Sequence, residues 1–310
     1  MTSRTIRRSA AAIGAIALAA AAAGCGGSST TSSTKSTSSH AGAPSSAPAK
    51  HSGDVDVLSA GSLDTVLTKD VGPAFHAATG YTLVDTSGGS SGLAADIKNK
   101  IDRADVFISA SPTINSTLMG SSNGNWEAWY GAFASSPYVL GYYPKSRFAT
   151  DLKTKPWYDV ITMPGFRLGR TNPSQDPGGV LAAKALTETA KTKNLPALAK
   201  LGTEASDEYA EDPEEANILS GQLDAAFMYE ADANSQKSPF VPLTGVNLSG
   251  DYTIALLHNA PHVAAAEAFT RFLLGPTGQS ELRADHFNII SPAKVTGTGV
   301  PSGLKGALGS

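Results

Sequence analysis

Cysteine is almost absent from this chain of 310 residues: Cys25 is the only one, so no intramolecular disulfide bond can form. Charged residues are also scarce, at 16% of the sequence, and the formal net charge is only −3. The sequence has no basic stretch suited to binding nucleic acid. The weak negative charge gives no long-range attraction for an anion either, so any anion site must use donors placed close to the ligand.

Long hydrophobic runs are missing except near the N-terminus, where residues 10–23 are almost all apolar. Arginines precede this run, and small residues lie directly before Cys25. The pattern predicts a signal peptide over residues 1–24, because the run is too short to span a membrane comfortably. A lone cysteine after a small-residue cleavage site resembles the lipobox of bacterial lipoproteins, which implies a lipid on Cys25. The alternative is an ordinary secretory signal, and the export route, general or twin-arginine, stays open.

Residues 25–52 are Ser, Thr, Gly, Ala and Pro with almost no apolar side chains to bury. This composition predicts a flexible tether. The folded part then runs from about Asp54 to Leu304, which is long enough for two packed lobes. Lipid, tether and export together place this folded part outside the cytoplasmic membrane and close to it, in the periplasm or at the cell surface.

Two short serine turns, residues 60–63 and 87–92, each follow a strand-like run and precede a helical pattern. The start of a helix presents unpaired backbone N–H groups and a partial positive charge, and a serine adds a neutral hydroxyl donor. On neighbouring strands of one sheet the two turns would converge on a small anion. The alternative interpretation is that Ser62 and Ser90 each cap a helix.

Strand-like runs alternate with helical patterns along the folded part, which predicts βαβ units and a mainly parallel sheet. Extended segments near residues 133–142 and 240–253 predict two crossings between lobes. We therefore expect an α/β fold of two lobes, each a mainly parallel sheet flanked by helices, with a ligand cleft between them. Lobe 1 comprises residues 54–135 and 245–305, and lobe 2 comprises residues 136–244.

Other polar patterns favour simpler interpretations. His258 and His262 have the spacing of a helical pair, but Pro261 interrupts the helix, so we interpret them as surface or loop histidines and not as metal ligands. The acidic stretch 204–215 is interpreted as a solvated face. A hydrolase is disfavoured because neither serine has a partner histidine in a recognisable motif.

Six motifs follow one another along the folded part: LSAGSL, SGGSSGLAADI, ADVFISAS, GRTNPSQDPGG, GQLDAAFMYEADA and FLLGPTGQ. In this order they resemble the molybdate/tungstate-binding proteins of ABC importers, which are two-lobed extracellular solute-binding proteins. The resemblance covers about Asp54 to Asp285. It implies a type II periplasmic-binding fold, a tetrahedral oxyanion as ligand, no cofactor and no enzymatic activity. The implied partners are an ABC permease with its cytoplasmic ATPase, and the chain is expected to be a monomer.

The resemblance also implies ligand-binding residues. The anion donors correspond to Ser62 and Ser90, with Ser91 as a close alternative to the latter. In tungstate-type members two carboxylates also approach the metal of the oxyanion, and Asp176 fits the first, before a Pro-Gly pair. No free metal cation is implied.

The second carboxylate position is where this sequence departs from the family pattern, because it holds Met228. The nearest carboxylate is Glu230, two residues on, which would face the same side of a strand. Tyr229 matches the tyrosine that donates a hydrogen bond in molybdate-type members. The coordination style therefore stays open, and Met228 motivates the alternative of a receptor for sulfate, phosphate or an organic anion. A separate alternative is an exported two-lobed enzyme or sensor domain.

Overall fold

The computed structural model describes residues 52–309, except the side chains of residues 211–213. The predicted signal peptide, Cys25 and nearly all of the predicted tether lie outside these residues. Within residues 52–309, no helix is both long and apolar enough to cross a membrane.

Ten strands within the described residues form one sheet in the order β2-β1-β3-β9-β4-β7-β5-β6, and β8 and β10 also pair with β4. Their bounds are β1 (Asp54–Ala60), β2 (Thr82–Gly88), β3 (Val106–Ser109), β4 (Trp129–Tyr142), β5 (Leu168–Thr171), β6 (Glu208–Tyr209), β7 (Ala225–Tyr229), β8 (Phe240–Pro242), β9 (Ser249–Leu256) and β10 (Asn288–Gly297).

The helices flank this sheet, and the predicted helices over residues 64–78, 180–191 and 264–274 are present with small shifts at their ends. Their bounds are α1 (Asp64–Val66), α2 (Gly72–Thr79), α3 (Ser90–Asn99), α4 (Pro112–Ser116), α5 (Ala149–Thr154), α6 (Trp157–Val160), α7 (Pro177–Lys193), α8 (Pro196–Leu201), α9 (Glu211–Leu219), α10 (Glu230–Ser235), α11 (Val263–Leu273), α12 (Pro276–Ala284) and α13 (Lys305–Leu308). A π-helical stretch, Leu67–Val71, joins α1 to α2.

The sheet is mixed. Parallel pairing, as expected, joins β1 to β2 and β3, and β5 to β6 and β7. The middle differs, because β4 pairs antiparallel with β9, β10, β7 and β8. Short-range alternation does not reveal this direction, since it is set by strands far apart in sequence.

The long strand β4 changes partners along its length. Residues 129–137 pair with β9 and β10, whereas residues 138–142 pair with β7 and β8. We call the strands joined through residues 129–137, together with β1, β2 and β3 and the turns and helices that directly follow these strands, the first segment. The second segment comprises the strands joined through residues 138–142, together with β5 and β6 and the turns and helices that directly follow them. The division into two lobes at residues 135/136 and 244/245 stays a prediction.

His262 is exposed, as predicted, but it also pairs with a buried carboxylate. The Asp105 side chain, which is fully buried, accepts hydrogen bonds from the backbone N–H groups of His262 at 2.6 Å and Asp56 at 2.9 Å. The His262 Nδ1 atom lies 3.0 Å from Asp105 Oδ2. Asp56, Asp105 and His262 bring three potential metal-ligand atoms within 4.8 Å. The hydrogen bonds between Asp105 and His262, the N-cap residue of α11, hold the start of this helix, so we assign the three residues to fastening it.

We predict that His262→Gln destabilises the protein more at pH 6 than at pH 9. Asp105 raises the pKa of His262 above its ordinary value of 6.5 through their hydrogen bond and its negative charge. A raised histidine pKa means that the charged pair stabilises the fold fully at low pH and is lost as pH rises through that pKa. Thermal unfolding at both pH values measures this. The variant His258→Gln, at another exposed histidine, controls for loss of an imidazole as such, and an equal loss at both pH values for His262→Gln would contradict the assignment.

Candidate functional site

The two serine turns lie side by side at the carboxyl ends of β1 and β2. These strands are parallel, and their pairing continues through Ala60 and Gly88, the last residue of each. Ser62 follows in a 3-10 turn, Gly61–Leu63, and Ser90 is the first residue of α3. The register therefore brings the serine-bearing turns together at one edge of the first segment.

Both serine hydroxyls are withdrawn from solvent. Ser62 is 8% exposed, and its Oγ lies 2.8 Å from the Tyr252 hydroxyl oxygen. Ser90 is fully buried, and its Oγ accepts a hydrogen bond from the backbone N–H of Ala110 at 3.1 Å. The helix-cap interpretation is wrong for both, because Gly89 occupies the N-cap of α3 and Leu63 that of α1. Ser91 is partly exposed.

The turn before α7 belongs to the second segment and meets the second serine turn directly. The Gly92 backbone N–H donates a hydrogen bond to the Gln175 carbonyl at 3.0 Å. Gly89 packs so closely that a Cβ added to it would lie 2.5 Å from the same carbonyl oxygen. Glycine is therefore required at residue 89 for this approach. The contact brings Asp176, the N-cap residue of α7, close to the turn that holds Ser90.

Three tyrosines form a row between the segments. The Tyr229 ring, at the end of β7, lies 5.2 Å from that of Tyr138 and 5.8 Å from that of Tyr252. Tyr138 donates its hydroxyl to the carbonyl of Gly178 at 2.7 Å. The row thus runs from the turn of Asp176 to Ser62. The sequence motifs missed Tyr252, because its approach to Ser62 spans 190 positions.

Met228 and Glu230 do not share the position expected of them. Met228 packs in a separate apolar cluster with Val139 and Ile218, and strand alternation turns it away from the side of Tyr229. Strand β7 ends at Tyr229, and Glu230 begins α10, so the expectation that Glu230 continues a strand face is wrong. Glu230 is partly exposed, and its contact with a ligand stays a prediction.

Two cavities lie where the segments meet. One of about 340 Å³ and one of about 270 Å³ are each lined by residues from both segments. The larger is bordered by residues 110–114, 249 and 251 of the first segment and 177, 180 and 181 of the second. The smaller is bordered by residues 88, 89, 92, 93 and 96 of the first and 171, 172, 175, 176, 209 and 210 of the second. Ala110 and Asp176 connect these cavities to the serine turns.

Buried carboxyl groups characterise the second segment. Asp176, Glu214 and Asp232 are 6%, 3% and 7% exposed, and burial raises the pKa of each. The negative charge of Asp176 further raises the pKa of Glu214, and buried Arg170 lowers it. Hydrogen bonds from the Thr171 hydroxyl, at 2.6 Å, and from the backbone of residues 178 and 179 partly lower the pKa of Asp176.

The solvated-face interpretation of residues 204–215 is therefore wrong for Glu214. Its helix, α9, packs against β5 and β7, and an added Cβ on Gly169 would lie 3.3 Å from Glu214 Oε1. Glu208 is not free either, because Arg170 donates to it at 2.7 Å. Acidic composition alone does not tell which side of a helix packs inward.

Residues 88–92 also read Gly-x-Ser-x-Gly, the pattern of a hydrolase nucleophile turn. Such a serine needs a histidine within hydrogen-bond reach. The Ser90 Oγ instead accepts from the Ala110 N–H, and the Nδ1 atoms of His76, His258 and His262 lie near the Tyr81 carbonyl, the Asn125 carbonyl and the Asp105 carboxylate. These surroundings suit Ser90 as a fixed hydrogen-bond donor better than as a nucleophile.

Comparison with known sequences now decides the family. The profile of bacterial extracellular solute-binding proteins matches residues 55–288, most of the chain. This chain belongs to that family. The family resemblance predicted from the six motifs is thereby confirmed for solute-binding proteins as a class.

Individual relatives of this solute-binding protein are distant. An uncharacterized solute-binding protein of Petrotoga mobilis is 23% identical, over 78% of this chain and 85% of its own length. The molybdate/tungstate-binding protein WtpA of Pyrococcus abyssi is 22% identical, over 73% of this chain and 80% of its own. The periplasmic molybdate-binding protein of Azotobacter vinelandii has a similar structure, with a TM-score of 0.61 at 21% identity, covering 76% of this chain and all of that one. The periplasmic-binding α/β fold is confirmed.

We predict that Glu214→Gln makes the stability of this solute-binding protein less sensitive to alkaline pH. The folded state holds a proton on Glu214 that the unfolded state releases above a pKa near 4.5, so stability falls as pH rises. The loss is at most about 1.4 kcal/mol for each pH unit.

Thermal unfolding at pH 5 and pH 8 measures this effect. The Tm difference between the two should be smaller in Glu214→Gln than in the wild type. The control Glu188→Gln, at a half-exposed position on α7, should leave the difference unchanged. An unchanged difference in Glu214→Gln would contradict its buried protonated state.

Proposed function

We propose that this solute-binding protein captures a tetrahedral oxyanion, molybdate or tungstate, and delivers it to an ABC permease with a cytoplasmic ATPase. The observation that carries the proposal is the pair of buried, neutral hydroxyls of Ser62 and Ser90 on adjacent turns. The names of relatives such as WtpA support the identity of the anion. We also propose that the protein is not an enzyme.

Neutral donors suit a dianion that loses its hydration on binding. They replace water without creating a buried ion pair, whose charges would both need to be desolvated. Each hydrogen bond to a charged group contributes about 1.5–3 kcal/mol. Four to six such bonds offset the roughly 4–15 kcal/mol cost of association. Ser62, Ser90, partly exposed Ser91 and Tyr229 are our proposed donors, and Asp176 and Glu230 our proposed carboxylate contacts.

Beside a bound dianion, the Asp176 carboxyl group must be either ionised and bonded to the metal atom of the anion, or protonated. An ionised carboxylate repels the anion unless it ligates the molybdenum or tungsten atom, and a protonated carboxyl donates a hydrogen bond instead. Its burial, which raises its pKa, is compatible with the second state, and its hydrogen bonds from Thr171 and the backbone favour the first. Proton uptake on binding would indicate that Asp176 becomes protonated in the complex, and proton release would indicate that it becomes ionised there.

The proposed setting is outside the cytoplasmic membrane. A lipid on Cys25 and the tether of residues 25–52 would hold the folded part near its permease, and one copy suffices for the site. These statements rest on the sequence patterns of the N-terminal region.

Isothermal titration calorimetry with sodium tungstate, molybdate, sulfate and phosphate tests the proposal. We expect tungstate or molybdate to bind at least about 100-fold more tightly than sulfate or phosphate, a difference of roughly 2.7 kcal/mol. Absence of binding by both metal oxyanions would refute it. Tighter binding of sulfate or phosphate would identify the alternative receptor, for which Met228 in place of a carboxylate is the motivating observation. Repeating the titration in buffers of different ionisation enthalpy reveals proton uptake.

Ser62→Ala and Ser90→Ala should each weaken binding of the preferred oxyanion by about 1–3 kcal/mol, because each removes a hydrogen bond to a charged ligand. The control is Ser87→Ala, an exposed serine of the second turn, which should bind like the wild type. Thermal unfolding without ligand checks that the variants are folded. Wild-type affinity in both serine variants would mean that these hydroxyls serve only the fold.

A further inference from the structure

The two buried serines have partners of different kinds. The partner of Ser90 is the backbone N–H of Ala110, which can only donate, so the Ser90 hydroxyl proton remains available to another acceptor. The partner of Ser62 is the hydroxyl of Tyr252, and either oxygen of that pair can be the donor. The availability of the Ser62 proton therefore depends on which way this hydrogen bond runs.

A serine hydroxyl has one proton. If Ser62 donates to Tyr252, it has nothing left to donate to an anion. If Tyr252 donates to Ser62, the Ser62 proton is free to point at the ligand, as that of Ser90 is. We propose that Tyr252 is a positioning residue of the anion site: its phenol donates to Ser62 and commits the Ser62 proton to the bound oxyanion. This inference rests on the proposed function and extends it to a residue outside the predicted site.

The surroundings of Tyr252 hold its phenol in place for this task. Tyr252 is fully buried on β9 and pairs with Ala134 of β4. Its ring packs edge-on against Phe287 at 5.1 Å and against Tyr229 at 5.8 Å. A hydroxyl carried on a ring packed on two sides loses little entropy when it orients a partner. The phenol is also a neutral hydrogen-bond donor, so it adds no charge to the site.

The donor direction has a further physical advantage. An oxygen that accepts one hydrogen bond becomes a better donor through its own O–H, because successive hydrogen bonds polarise one another. Ser62 would then act as the second member of a chain that runs from Tyr252 through Ser62 to the anion. At Ser90 the chain runs from the Ala110 N–H through Ser90. Both serines would then donate to the ligand, although Ser62 accepts from a side-chain hydroxyl and Ser90 accepts from a backbone N–H.

A double-mutant cycle with Tyr252→Phe and Ser62→Ala tests the inference, with sodium tungstate and sodium molybdate as the titrated ligands. Tyr252→Phe should weaken binding about 3- to 10-fold, the effect of one lost hydrogen bond. In the Ser62→Ala background it should cause no further loss, because no serine proton remains to be oriented. A role confined to packing would instead weaken binding by the same factor in both backgrounds, and that result would overturn the inference.

Two comparisons separate this result from other causes. Tyr142→Phe, at a buried tyrosine near the far end of β4, controls for loss of a phenol as such and should bind like the wild type. If wild-type protein binds neither oxyanion, the proposed function fails and the role of Tyr252 fails with it. If wild-type protein binds and Tyr252→Phe binds equally well, only the role of Tyr252 fails.

A near-isosteric replacement covers the case in which Tyr252→Phe does not fold. Site-specific incorporation of 3,5-difluorotyrosine at residue 252 lowers the phenol pKa while keeping the ring and hydroxyl. At pH 6 the variant should bind like the wild type. Absorbance of the difluorophenol shows the pH at which it ionises; above that pH the phenolate can no longer donate to Ser62, so affinity should fall relative to wild-type protein titrated at the same pH. Equal pH dependence in the two proteins would overturn the inference.

Discussion

The parallel register of β1 and β2 is the constraint on which the candidate site depends. It ends both strands at the same level, Ala60 beside Gly88, and so places the two serine turns next to each other. A slip of one residue would turn every side chain of β2 to the opposite face, and Ser90 would no longer reach the backbone N–H of Ala110. Half-buried and exposed residues alternate along most of β2, so a slip would turn its inward side chains to solvent.

Across the cleft the two segments differ in chemical character. The first segment presents hydroxyl groups that are already held by neutral partners, whereas the second presents carboxyl groups buried with few compensating cations. The long strand β4 and direct contacts between turns, such as that of Gly92 with Gln175, join the two segments. An anion bound here would meet fixed donors on one side and groups with adjustable protonation on the other.

Local patterns in the sequence sufficed for most strands, most helices and the serine turns, because alternation and turn residues act over short distances. They did not reveal β10, whose pairing with β4 joins residues more than 140 positions apart, nor the inward side of α9 at Glu214. Tyr252 was missed for the same reason. Its strand was predicted, but what its hydroxyl reaches depends on how β9 enters the sheet between β3 and β4.

Under the proposed function, the protonation state of the Asp176 carboxyl group would influence which anion is preferred. The hydrogen bonds from Thr171 and from the backbone of residues 178 and 179 stabilise its ionised form, and burial opposes them. An ionised Asp176 suits molybdenum or tungsten, whose tetrahedral oxyanions can accept an additional oxygen ligand, but it repels sulfate, whose sulfur cannot. A protonated Asp176 would donate to any of these anions and discriminate little between them. If Asp176 contacts the ligand as proposed, an ionised form that persists in the complex would therefore add to the preference for a metal oxyanion, and that contribution would be lost at low pH.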